Sequence, residues 1–380
     1  MAEKTYIAGR RLKPEGGFTE GYVIIEGGTI AEAGSGRPPM PPTVSLPPEA
    51  VILPGFIDLQ INGGFGTDLA LDPQGIRPLS QRLPERGVTA FLPTIISSPI
   101  NTYPDVLKAC DLTSSKRGAQ PLGLHLEGPF LNPVRRGAHE ESYLCLPTLE
   151  NLSRLIQPAK VRLISLAPEL PGGMEAIGRI REAGILPGIA HSDASYEEAK
   201  QAFEAGIEYG VHLFSAMLPL LHRQPGLVGA LLEKSSPRFG IIADGIHLHP
   251  MILRMIYACR GAEGITLVSD AAPPAGMTPG TYTLGSKEVM MDGKQVNLPD
   301  GTLAGSAIFM DDAVRNMVRL GVCDLASAAQ MASLTPAKVL GIDNYKGKIA
   351  PGFDADLVIL NRDLGVEMTI ISGKIAYQKS

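Results

Sequence analysis

The stretch VILPGFIDLQIN, residues 51–62, decides the fold. It is a short apolar run with a proline-rich segment before it and a glycine pair after it, and it ends on two polar residues, Gln60 and Asn62. Runs of this kind read as strands buried on both faces, the habit of a parallel sheet. Seven more follow: GVTAFLPTI (87–95), PLGLHLEGP (121–129), VRLISLAPE (161–169), GILPGIAHSDA (184–194), YGVHLFSAM (209–217), FGIIADGIH (239–247) and ITLVSDA (265–271). Between most of them lie amphipathic stretches such as MEAIGRIREAG (174–184) and SYEEAKQAFEAG (195–206), which are crossover helices. Eight strand–helix units of about 30 residues each match a (β/α)8 barrel of the TIM type, with an open doubly wound sheet as the second choice. The class is α/β.

Outside this region the texture differs. Tyr6 to Ile30 reads as short strands broken by glycine pairs, and the six prolines between Pro38 and Pro48 suit neither helix nor ladder, so that stretch is a connector. From Tyr345 onward short strands with glycine turns return. The two ends therefore pair into one small discontinuous β-sandwich domain, giving residues 1–50 and 345–380 to it and 51–344 to the barrel.

Apolar residues make up 44% and charged residues 19%, which supports a large buried core and excludes a disordered chain. The net charge of −5 comes with no Lys/Arg block, so nucleic acid is excluded as a partner. No apolar run is long enough to cross a bilayer and the N-terminus has no leader-like core, so no membrane association is expected. Cys110, Cys145, Cys259 and Cys323 lie far apart without CxxC spacing, as in a cytoplasmic protein of a reducing compartment.

In a barrel of this kind the chemistry sits at the C-terminal ends of the strands. The polar residues fall there: Gln60 and Asn62 in the first run, Glu127 in the third, Glu169 in the fourth, His191 in the fifth, His212 in the sixth, His247 in the seventh and Asp270 in the eighth. Glu127, His191 and His212 supply one carboxylate and two imidazoles, the ligand set of a catalytic zinc site with an open position for water. Fe2+ is the alternative ion. A metal there acidifies water and polarises a carbonyl, and Asp270 is placed to take a proton from the water and deliver it to a leaving group. Each residue also has a plainer reading: a hydrogen-bonded core histidine, a helix-terminal carboxylate, an N-cap. His125 shares a face with Glu127 and is either a support for it or a packing residue. Glu169 is expected to be satisfied by local hydrogen bonds, and His222 and His249 to be ordinary loop residues. Two other functions compete: a metal-free glycosidase using Glu127 and Asp270, and a binding protein without catalysis.

PGFIDLQING, GLHLEGPFLN, RRGAH, LAPE, GIAHSDAS, HLFSAM, GLVGA, IIADGIH, LVSDAAPPAG, DGTLAGSA and KGKIAPGFDADLVIL occur in the order found in the N-acetylglucosamine-6-phosphate deacetylases of the amidohydrolase superfamily. The chain resembles that family from about Val51 to its C-terminus. The resemblance implies hydrolysis of the acetamide of N-acetyl-D-glucosamine 6-phosphate to glucosamine 6-phosphate and acetate, in amino-sugar catabolism. It makes Glu127, His191 and His212 the metal ligands and Asp270 the acid/base. His139 would help polarise the acetamide carbonyl, with Ala138 beside it lining the sugar. Arg223 and His247 would bind substrate, Arg223 through the phosphate and from a neighbouring subunit of a homodimer, and Ser215, Ala216, Leu303, Ala304 and Gly305 would complete the contacts. The chain departs from the family pattern twice. Gln60 and Asn62 replace the HxH of many amidohydrolases, which implies one metal ion per chain. Ser215 replaces the usual asparagine, which leaves a related acetamido sugar, such as the phosphorylated galactosamine epimer or an unphosphorylated sugar, as the competing substrate.

Overall fold

A computed structural model describes residues 4–379 apart from 45, 48, 116 and 158. All eight expected runs form parallel strands: β1 (Phe56–Ile61), β2 (Val88–Ile96), β3 (Leu124–Glu127), β4 (Val161–Leu166), β5 (Leu186–Ile189), β6 (Tyr209–Gly210), β7 (Arg238–Ile242) and β8 (Ile265–Val268). Each pairs with its sequence neighbour. The ring is drawn together where Ile61 bridges Ala271 and the amide of Asp270 donates to the carbonyl of Gln60 at 2.9 Å. That junction brings the end of β1 beside the segment after β8, and with it Gln60 beside Asp270.

The crossover helices form for local reasons. Ser195 and Glu198 make a reciprocal capping box that starts the helix Tyr196–Ala205, which buries Ala199 and Ala202. The helix Gly173–Glu182 buries Ala176, Ile177 and Ile180, one turn of its apolar stripe.

The stretch that opens the barrel in sequence is divided in space. Val51–Pro54 is a strand of the flanking sheet, and only after Gly55 does the chain enter the barrel as β1. Val51–Pro54, on the barrel side of the boundary expected between 50 and 51, thus pairs within the flanking sheet. Both chain ends build this seven-stranded sheet, with Val51–Pro54 lying between Leu357–Leu360 (antiparallel) and Lys4–Leu12 (parallel). Strand alternation explains why apolar residues fill both of its faces. Ile52, Leu357 and Ile359 enter the flanking core, while Val51, Leu53, Val358 and Leu360 pack against the barrel.

A third sheet follows β8: the antiparallel strands Gly280–Leu284, Lys287–Met291, Gln295–Asn297 and Leu303–Ser306. It stands over the mouth of the barrel, and its last strand returns to the barrel through a bridge between Ser306 and Ala271.

Candidate active site

Three of the site residues lie two residues past a strand end, in left-handed backbone: His191 (φ 47°), His212 (φ 31°) and Asp270 (φ 47°). Non-glycine residues seldom adopt this region, and each costs about 1–2 kcal/mol there. Phe214 (φ 77°) and Ala216 (φ 50°) continue the pattern after β6. This turn sequence ends β6 at Gly210, so His212 lies beyond the strand rather than in it.

These turns point the side chains at Glu127, which is buried at the end of β3. Its Oε1 lies 2.7 Å from Nε2 of His212 and 3.3 Å from Nε2 of His191, and it accepts from Nε2 of Gln60 at 3.0 Å. Its Oε2 lies 3.9 Å from Nε2 of His139. Burial opposes its charge, but the close approach of His191 and His212 holds Glu127 well below the usual carboxylate range. On the other side, Oδ1 of Asp270 accepts from Gln60 Nε2 at 3.0 Å and from Asn62 Nδ2 at 2.7 Å. Gln60 thus joins the two carboxylates. Burial, and then the charge of Glu127, push Asp270 up to about 6.

Two groups of donors meet on Glu127, because Glu127, His139 and His191 also hold mutual atom distances within 4.8 Å. The Nδ1 partner of each ring separates the histidines. In His191, Nδ1 lies 2.8 Å from the carbonyl oxygen of Arg135, which can only accept, so the lone pair is on Nε2 and faces Glu127. In His139, Nδ1 receives the backbone N–H of Ser97 at 3.3 Å and lies 2.8 Å from its Oγ, so the proton is on Nε2. Burial, then repulsion from His191, push His139 down to about 3, which keeps it neutral. His139 therefore presents an N–H at Nε2, whereas His191 presents a lone pair there, the atom a cation would need. Nδ1 of His212 and Oε1 of Gln60 are buried without a partner among the described residues. One ionised carboxylate with two imidazoles, all buried, is a donor set that fits a divalent cation.

Glycine permits these approaches at two points. Gly128 (φ 91°) lets Ser97 come close, since a Cβ there would meet Ser97 Oγ at 2.3 Å. Gly305 (φ 69°) lies where a Cβ would come 2.9 Å from the carbonyl oxygen of Asp270.

The cluster opens into a cavity of about 530 Å3, a volume suited to a small ligand. Ala138, His139, Ser215, Ala216, His247, Leu303 and Gly305 line it as expected. Two expected residues do not. Ala304 alternates with Leu303 and Gly305 and faces the apolar core of the third sheet. Arg223 is on an exposed loop after β6, outside this chain's cavity.

His125 is bound in the barrel interior, with Nδ1 3.3 Å from Thr94 Oγ1 and Nε2 2.6 Å from Ser165 Oγ. Glu169 accepts from Asn132, Ser192 and the amide of Asp193, tying together the loops that carry His139 and His191. Nδ1 of His249 accepts the amide of Met251 at the start of a helix. Sequence reasoning missed Ser97, Asp244 and the wall supplied by the third sheet, where Lys287 Nζ donates to the carbonyl of His139 at 3.1 Å. The turn pairs Gly285-Ser286 and Asp292-Gly293 between short alternating runs were the signal for that sheet.

The amidohydrolase family signature matches residues 51–376. The chain belongs to the amidohydrolase family. This amidohydrolase is 39% identical to the N-acetylglucosamine-6-phosphate deacetylase of Bos taurus, over 86% of this chain and 84% of that one. It is 36% identical to the N-acetylgalactosamine-6-phosphate deacetylase of Escherichia coli O157:H7, over 97% and 98%. Its structure resembles that of a mutant N-acetyl-D-glucosamine-6-phosphate deacetylase from Mycobacterium smegmatis in complex with N-acetyl-D-glucosamine-6-phosphate, with a TM-score of 0.92, 28% identity and coverage of 99% and 100%.

Proposed function

We propose that the protein is a deacetylase that hydrolyses the acetamide of N-acetyl-D-glucosamine 6-phosphate, releasing acetate and glucosamine 6-phosphate. The observation that carries this reading is the convergence of Glu127, His191 and His212 beside Asp270 in one cavity, in a chain 39% identical to named deacetylases of that sugar.

Glu127, His191 and His212 would hold one divalent ion, which we assign as zinc, with Fe2+ as the alternative. When bound, such an ion supplies Lewis acidity and makes water a better nucleophile near neutral pH. The protein residues supply the rest. Nε2–H of His139 donates to the acetamide carbonyl as negative charge develops on its oxygen. With Oδ1 of Asp270 engaged by Gln60 and Asn62, Oδ2 is the atom that takes the proton from water and passes it to the departing amine. An amine is a poor leaving group, so this second transfer is what makes the amide cleavable. Gln60 and Asn62 present amide N–H groups where HxH would present imidazoles, which supports a single ion.

Ala138, Ser215, Ala216, His247, Leu303 and Gly305 form the sugar-binding wall. Arg223 is assigned to the phosphate of a partner subunit's substrate, in a homodimer, and its exposure away from this chain's own cavity supports that placement. The exposed Leu220 and Leu221 on the same loop suit a subunit contact. No helix among the described residues is long and apolar enough to cross a membrane. The four unpaired cysteines support a cytoplasmic location.

Acetate release, measured across the 6-phosphates of N-acetylglucosamine and N-acetylgalactosamine and the two free sugars, with metal content on the same sample, tests the reading. Turnover is expected to be fastest on the glucosamine derivative. Faster turnover of the galactosamine epimer would reassign the substrate, and activity without metal would reject the mechanism. A glycosidase is disfavoured because Glu127, one of the two carboxylates it would use, is closely engaged by His191, His212 and Gln60.

A further inference from the structure

Asp244 lies in the turn after β7, three residues before His247. Its side chain is only 2% exposed, and both of its oxygens are committed. Oδ1 accepts the backbone N–H groups of Ile246 and His247, each at 2.8 Å, and Oδ2 lies 2.7 Å from Nδ1 of His247. Burial opposes ionisation, yet the contact with His247 and the two amides outweigh it and hold Asp244 below the ordinary carboxylate value. A carboxylate can only accept, so the proton in the contact belongs to Nδ1. Nε2 is left for the cavity that His247 lines, and it has no protein partner among the described residues.

We propose that Asp244 is a positioning residue for substrate binding: it fixes the proton of His247 on Nδ1 and turns Nε2 to the sugar, where it meets a ring hydroxyl. The same rule that separates His139 from His191 operates here, with a carboxylate as the deciding partner. The proposal rests on the reading of His247 as a substrate-binding residue.

Asp244→Asn tests it with little change of shape. Two backbone amides hold the side-chain oxygen in place, so the new NH2 group must face His247. Nδ1 then has to accept, the proton moves to Nε2, and the face shown to the sugar reverses from acceptor to donor. The expected result is a KM for the phosphorylated acetamido sugar raised about 10- to 100-fold, the usual cost of losing a hydrogen bond in a charge-supported network, with kcat and metal content little changed. In the zinc-loaded protein, nitrogen-15 shifts of the His247 ring should place the proton on Nδ1 in the native chain and on Nε2 in the variant. An unchanged KM or an unchanged tautomer overturns the proposal.

A double-mutant cycle separates positioning from a general structural role. In a His247→Gln background, Asp244→Asn should add nothing further; an additive loss overturns the proposal. If His247→Gln by itself leaves KM and kcat as in the native enzyme, the substrate-binding reading of His247 has failed instead.

Discussion

Replacing Asp270 with asparagine removes the proposed proton carrier while keeping the packing of the site. The Oδ1 atom accepts from Gln60 Nε2 at 3.0 Å and from Asn62 Nδ2 at 2.7 Å, and both donors can be satisfied equally by an amide oxygen. The new NH2 group therefore takes the place of Oδ2, and neither Gln60 nor Asn62 loses its partner. Asp270 is not among the three proposed ligands, so the metal should remain. What is lost is the transfer of a proton from water to the amine, and general acid/base groups usually contribute 10²- to 10⁴-fold. At 1.36 kcal/mol per tenfold, that is about 3–5 kcal/mol of activation free energy. The assay is acetate release at saturating sugar phosphate, with zinc measured on the same preparation. Turnover within about tenfold of native, well short of that range, would show that Asp270 carries no proton. Loss of metal would place it among the ligands.

The other predictions concern the ions around it. Activity should fall on the acid side with an apparent pKa at or below about 6, because Asp270 must be ionised to act, burial and Glu127 raise it to about 6, and a bound cation lowers it. That limb should vanish in Asp270→Asn, and a limb centred above neutrality would point to a different base. His139, held near 3, stays neutral across this range and should add no second limb. His191→Ala should lose metal and activity together, by metal analysis after dialysis; tightly retained metal would remove His191 from the ligand set. Arg223→Ala should raise KM for the phosphorylated sugar about tenfold or more while barely affecting the free sugar, the loss of one charged hydrogen bond. Equal effects on both sugars would reject phosphate recognition.

Much of the architecture is legible in the chain because apolar periodicity is a local property. All eight runs are strands of the barrel, and most of the polar residues that end them line one cavity at its mouth. Features that depend on distant partners are not legible. Val51–Pro54 and Phe56–Ile61 form one apolar run in sequence, yet they belong to different sheets, a choice made by Leu357–Leu360 some 300 residues away. The end of β6 at Gly210 goes with left-handed backbone at His212, a conformation that stays uncommon even for histidine and so cannot be placed from local sequence. Ser97 fixes the proton of His139 across 42 residues, and Asp244 reads in sequence as an ordinary turn residue before a glycine. Ala304 differs for a simpler reason: its segment is a strand, and alternation turns every second side chain away from the cavity.

The division at Gly55 has a mechanical consequence. Residues 51–61 run without a loop between two sheets, anchored at one end between the first and last thirds of the polypeptide and carrying at the other the Gln60 amide that spans Glu127 and Asp270. The flanking sheet is thus the abutment of the catalytic floor rather than an ornament beside it. Slack introduced at either terminus would reach Gln60, five residues beyond Gly55, through the first strand of the barrel wall.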